Sequence, residues 1–213
     1  HYLLYFGFSS LKEIVTSYFN ASNHVFHTIL MRLMMSAFGE DSEIAIRFPS
    51  FAAGIACLWM VYKLAELIFN CPSIARMALL IAVISPTHIL YSQTARGYSL
   101  MMFLSITLIY ATLKILENKH LTQWGGLAVL AGFLSVYTLP TNIYFIFSLA
   151  CWVFFVLLIP KWNSGFDYQN YMRKRICLVF LIVFGFTALF TLLAYLPLLN
   201  EIVEVAKYDI NYA

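Results

Sequence analysis

Residues 121–160 read LTQWGGLAVLAGFLSVYTLPTNIYFIFSLACWVFFVLLIP, forty positions without a Lys, Arg, Asp or Glu. A helix crosses a bilayer with about 20 mostly apolar residues, so the run predicts two crossings. Leu139, Pro140, Thr141 and Asn142 near its middle supply the turn. Four more charge-free runs flank it: Phe48 to Tyr62, extended to Phe69 if Lys63 and Glu66 snorkel, Met77 to Ala95, Gly97 to Leu113, and Ile176 to Asn200. Together they predict an all-α polytopic membrane protein. Its six transmembrane helices are expected near 48–69, 76–93, 97–116, 122–139, 142–160 and 176–199.

The composition of the 213 residues agrees. Hydrophobic residues make up 62% and charged residues 11%, where a soluble domain is nearer half and a quarter. Nine Gly, six Pro and four Cys are too few for a disordered, collagen-like or disulfide-stapled chain. A formal charge of +3, widely scattered, gives no footprint for nucleic acid. Cys57, Cys71, Cys151 and Cys177 show no CxxC spacing and read as buried small apolar side chains.

Lys and Arg in short loops mark the cytoplasmic side. Six crossings place Lys63, Arg76, Lys114, Lys119, Lys161, Arg173, Lys174 and Arg175 on one side. Lys12, Arg32, Arg47, Arg96 and Lys207 fall on the other. The first group is the larger and ends in a triplet before a long apolar run, so it is assigned to the cytoplasm. Residues 1–47 are then an extracytoplasmic loop, 48–199 the transmembrane bundle, and 200–213 the start of another extracytoplasmic loop. Val25 to Phe38 is too short to span and carries Arg32, so it is expected as an interfacial helix. Leu11 to Phe19 is a second candidate, capped by Ser9 or Ser10. The opening at His1, with no signal peptide, reads as part of a longer protein in which an odd number of crossings precedes this segment.

No Walker loop, GxGxxG or nucleophile elbow occurs, and no acid lies between Glu66 and Glu117. Clean helix interiors argue against a pump or an ion-coupled carrier. Polar chemistry gathers instead at the outer face. One cluster is His88, Tyr91, Ser92, Gln93, Thr94, Arg96 and Tyr98. The planar donor fork of Arg96 suits phosphate oxygens, although an interfacial Arg can also rest on ordinary lipid headgroups beside belt tyrosines. The other cluster is Asn23, His24 and His27. Its i, i+3 imidazoles would permit a divalent metal or a polar pocket wall, so the cofactor stays unknown. Asn20, Ala21, Ser22 is also an N-glycosylation sequon on the outer side.

Five short motifs follow in order: Asn23-His24 before an apolar helix, Phe38-Gly39, Arg47-Phe48-Pro49-Ser50, Ser85-Pro86, and Tyr91-Ser92-Gln93-Thr94-Ala95-Arg96-Gly97-Tyr98. The series resembles the GT-C superfamily of membrane glycosyltransferases, more narrowly the protein O-mannosyltransferases and the lipid A aminoarabinose transferases. The resemblance implies transfer of a sugar from a polyprenyl-phosphate carrier to an acceptor at the extracytoplasmic face, in an integral membrane protein of the bacterial inner (plasma) membrane. It implies that Arg96 contacts the phosphate, that Tyr98 and Gln93 shape the site, that Asn23 and His24 line the same cavity, and that Arg47 holds the loop. No catalytic residue is expected within this chain, because the family's acidic pair follows the crossing before it. Val25 and Phe26 also stand where the pattern has two prolines. The alternative is a non-catalytic subunit packed against other membrane subunits.

Overall fold

A computed structural model describes residues 10–16, 24–39, 42–158 and 170–198. Among them every regular element is helical. A short α1 (Leu11–Thr16) opens with Ser10. The Ser10 hydroxyl accepts from the Glu13 N–H at 3.3 Å, and the Glu13 carboxylate accepts from the Ser10 N–H at 2.9 Å. Each satisfies a donor the helix leaves unpaired, so the cap falls on Ser10. Helix α2 covers Val25–Phe38, the bounds expected for the interfacial helix, and stops at Gly39 with φ +101°, where a side chain would be strained.

The first long helix, α3, is Glu43–Phe69. It starts five residues ahead of the expected 48, because the Ser42 side chain accepts from Ala45 N–H and Glu43 sits in the first turn. Asn70 closes it in the left-handed region. The single helix expected over 76–93 is two, α4 (Pro72–Val83) and α5 (Pro86–Gln93), bent by 60°. Pro86 has no N–H to continue the ladder and drives Ser85 to φ −66°, ψ 118°, which is extended backbone.

Helices α6 (Tyr98–Leu116) and α7 (Leu121–Thr138) follow, then a 3-10 turn at Pro140–Asn142 and α8 (Ile143–Leu158). The expected turn at 139–142 is therefore present. Helix α9 runs Asn170–Tyr195 and continues into a 3-10 turn at Leu196–Leu198. It begins ahead of the expected 176, so Arg173, Lys174 and Arg175 are its early turns and not a preceding loop. Long basic side chains are good helix formers, and an apolar boundary alone does not end a helix.

Among the described residues four helical stretches are long and apolar enough to cross a membrane: Glu43–Phe69, Tyr98–Leu116, Pro140–Leu158 and Tyr171–Leu198. The bent α4–α5 pair, counted as one broken span, brings the number to at most five. The sixth expected crossing, α7, is not among them, since Thr122, Gln123, Gly125 and Gly126 dilute its first turns. It still carries the chain between the two ends of the bundle, packed along one face against α6 and α9. Gly125, Ala128, Ala131, Gly132 and Ser135 form its buried stripe, small enough for close helix approach. That stripe meets Leu108 and Ala111 of α6 and Phe180 and Val183 of α9 in the main core. Large apolar side chains such as Phe51, Trp59, Ile81, Phe147 and Leu192 are exposed on the flanks, the pattern of a protein whose solvent there is lipid. Of the four cysteines, all free, only Cys57 is buried. Cys151 is exposed on α8, where lipid replaces a protein neighbour, so the expectation of burial is corrected for it and for the half-buried Cys71 and Cys177.

Candidate functional site

Alternating helix direction collects Gly39, Ser42 and the 94–97, 139–142 and 196–198 segments at one end of the bundle. Long-range contacts tie that end together. His27, fully buried on α2, lies 2.9 Å through Nε2 from the Ser50 hydroxyl of α3. Ser50 donates in turn to the Arg96 carbonyl at 3.0 Å. The Ser50 proton is thus committed, so the His27 Nε2–H donates and Nδ1 keeps a lone pair. Nδ1 is buried without a partner. A second proton would have to sit there unsolvated, and burial pushes the His27 pKa down to about 4, with the neighbouring His24 adding to the effect.

Next to this clamp lies the wall of the site. His24, buried at the start of α2, donates through Nδ1 to the Thr138 carbonyl at 3.3 Å, which leaves Nε2 with the lone pair of the neutral ring. Its ring meets Tyr98 edge-on at 5.1 Å, and Tyr98 meets Tyr91 at 4.7 Å. Gly97 makes this closeness possible. A Cβ there would fall 2.6 Å from Thr138 Cγ2 and 3.1 Å from His24 Nδ1. Arg96 stands beside the wall with its side chain exposed, and its charge joins burial in holding the His24 pKa below the ordinary value. No salt bridge to Arg96 occurs among the described residues.

Of the residues expected at the site, His24 and Tyr98 are in contact and Arg96 adjoins them. Gln93 is exposed on a neighbouring groove of ≈ 320 Å³, lined also by Glu43, Arg47, Phe48 and Ser92. Asn23 lies outside the described residues. Arg47 pairs with Glu43 one turn earlier in its own helix. The Ser50 hydroxyl ties the 94–97 connection to α3. Ser50 and Thr138 were not singled out from sequence as site-forming residues. Ser50 sat inside a quoted motif, but nothing in its spacing foretold a bond 46 residues away, and Thr138 takes part through its backbone. No group of three His, Cys, Asp or Glu that could hold a metal occurs among the described residues.

A family profile described as dolichyl-phosphate-mannose-protein mannosyltransferase matches residues 25–190. The chain belongs to that mannosyltransferase family. The match runs from the first residue of α2 to within a few residues of the end of α9, so it includes the Arg47–Ser50 and Tyr91–Tyr98 motifs and begins just past His24. Neither curated proteins nor solved structures give a match to the chain. Membership makes this an integral multi-pass protein of the GT-C type, a glycosyltransferase family whose donors are polyprenyl-phosphate sugars.

Proposed function

We propose that the His24–Tyr98–Arg96 end of the bundle binds the phosphate and first sugar of a polyprenyl-phosphate donor and faces the extracytoplasmic side of a bacterial inner membrane. The observation that carries this reading is Arg96, a solvent-facing cation beside two neutral, buried imidazoles, with no salt bridge to it among the described residues. Cleavage of the anomeric C–O bond leaves the negative charge on the carrier phosphate, and a fixed guanidinium stabilises that charge as it develops. The His24 Nε2 lone pair can accept from a sugar hydroxyl. Tyr91 and Tyr98 offer an aromatic face to the ring, with Gln93 at the edge; Asn23, adjacent to His24 in sequence, is the further candidate to contact the donor. The Lys and Arg count supports the sidedness, since Lys63, Arg76, Lys114, Lys119, Lys161, Arg173, Lys174 and Arg175 are assigned to the other side against five on this one.

The test is direct binding by the full-length protein in lipid nanodiscs. Native mass spectrometry should show a polyprenyl-phosphate sugar retained by the natural protein. Arg96→Ala should lose it while keeping the same thermal unfolding profile. Equal retention by Arg96→Ala would remove the assignment, and retention by neither protein would remove the donor site altogether.

A further inference from the structure

A second groove of ≈ 900 Å³ runs between α7 and α9. The two helices lie parallel. Leu121 and Thr122 flank Arg175 at one end, a Cβ on Gly125 would lie 3.7 Å from Val183, and Phe133 and Phe190 close the other end. From Leu121 to Phe133 the groove rises about 18 Å at 1.5 Å per residue, a little more than one leaflet of a ~30 Å hydrocarbon core. Its floor is open at Gly126, where a Cβ would meet nothing within 4 Å.

The mouth of the groove is cationic. Arg175 lines it with an exposed side chain, and Arg173 and Lys174 precede it on α9. The acids described at this end are already engaged, Glu117 with Lys114 and Lys119, and Glu66 with Lys63. A transmembrane helix seated here would cover the apolar walls but leave that cation without an anion. A lipid with a phosphate head supplies both. The phosphate of a sugar donor held at Arg96 cannot also sit on Arg175, because Arg175 and Tyr195, which donates to the Val136 carbonyl near the His24 site, are separated by about 30 Å of helix. We infer that the α7–α9 groove binds one anionic glycerophospholipid, its acyl chains along Gly125, Gly126 and Phe133 and its phosphate on Arg175. The inference is independent of the donor site. It gives the basic triplet a specific ligand beyond orientation of the chain, in keeping with basic pockets between helices at the cytoplasmic leaflet.

The experiment reconstitutes the full-length protein in vesicles of phosphatidylglycerol and phosphatidylethanolamine, extracts it into detergent, and weighs the retained lipid by native mass spectrometry. One phosphatidylglycerol per chain is expected. Arg175→Gln should reduce its retention roughly fivefold, and Gly126→Phe, which fills the floor, should abolish it. Retention of phosphatidylethanolamine to the same extent, or phosphatidylglycerol retention unchanged in Arg175→Gln, overturns the inference. Arg175 is exposed, so its variant decides the matter even if Gly126→Phe fails to fold. Loss of donor binding in Arg96→Ala with phosphatidylglycerol retained would separate the two sites.

Discussion

The two ends of the bundle use polar residues in opposite ways. At the end holding residues 70–71 and 117–120, the described acids are neutralised by near neighbours in sequence. Lys63 pairs with Glu66 at 3.0 Å and Lys114 with Glu117 at 3.0 Å, each three residues apart on one helix. At the other end the polar groups reach across the fold. His24 bonds a carbonyl 114 residues away, His27 a hydroxyl 23 away, and Ser50 a carbonyl 46 away. Local pairs secure helix ends, whereas long-range bonds fix the relative positions of several helices. The second arrangement places the Arg96 guanidinium, which has no salt bridge among the described residues, against a rigid wall, which is what stabilisation of a developing charge requires.

The largest difference between the ends is expected in catalysis. Arg96→Ala should lower sugar transfer by the full-length enzyme by about 10²–10³-fold, the usual cost of one preorganised charge-stabilising group, measured as kcat with a polyprenyl-phosphate sugar. Arg96→Lys should recover part of that loss by restoring charge without the fork. A variant of a paired lysine at the opposite end, such as Lys114→Ala, should leave kcat unchanged. Equal losses at both ends would mean that bundle integrity, and not phosphate contact, limits the reaction.

Next in size is a response to acid confined to the histidine end. The folded pKa of His27 is about 4, below the ordinary 6.5, so the unfolded chain binds this proton more readily. Stability present above pH 6.5 is therefore lost as pH falls towards 4, by about 3 kcal/mol at most, at 1.36 kcal/mol per unit. His24 is shifted in the same direction and steepens the loss. Denaturant midpoints of the purified protein across that pH window should show it. His27→Gln, which keeps an N–H for Ser50 but cannot be protonated, should flatten the curve. An unchanged slope would place the acid sensitivity elsewhere.

A steric effect comes third. A Cβ on Gly54 would lie 2.3 Å from Ser92 Oγ and 2.8 Å from Ser92 Cβ, so Gly54→Ala forces α3 and α5 apart. The expected cost is about 1–3 kcal/mol, read as a fall in Tm and relieved by Ser92→Gly in the same chain. Gly185 on α9 is the contrast, with nothing within 4 Å of its would-be Cβ. Gly185→Ala should be neutral or stabilising by about 0.5–1 kcal/mol, since glycine in a helix interior costs that much relative to alanine.

The same contrast explains what could be read from the sequence. Helix identity came from charge-free length, and α2, α6 and α8 begin and end within two residues of expectation because apolar runs and turn residues act locally. The break at Ser85 does not follow from the length of the apolar run, which is adequate for one crossing; it follows from Pro86, whose effect on the residue before it is local. At the site, Arg96 and Tyr98 drew notice by residue type. Ser50 and Thr138 did not, because a serine in a helix or a backbone carbonyl acquires meaning only when another helix arrives beside it. Arg47 is the converse case: its described partner is Glu43, one turn away, a local pair that sequence spacing already allows.

The smallest effect should come from the local pairs themselves. Lys114 and Glu117 are partly exposed and lie at the last turn of α6, where a cation also favours the helix C-terminus. Such pairs contribute about 0.2–1 kcal/mol, reduced by salt. Lys114→Ala should therefore lower Tm slightly at low ionic strength and hardly at all in high salt. Glu117 also reaches Lys119 at 3.7 Å, so removing Lys114 leaves the acid with a partner and avoids an unpaired charge. A large, salt-independent loss in Lys114→Ala would show that this end, like the histidine end, holds helices together through its polar groups, and the division between the two would fall.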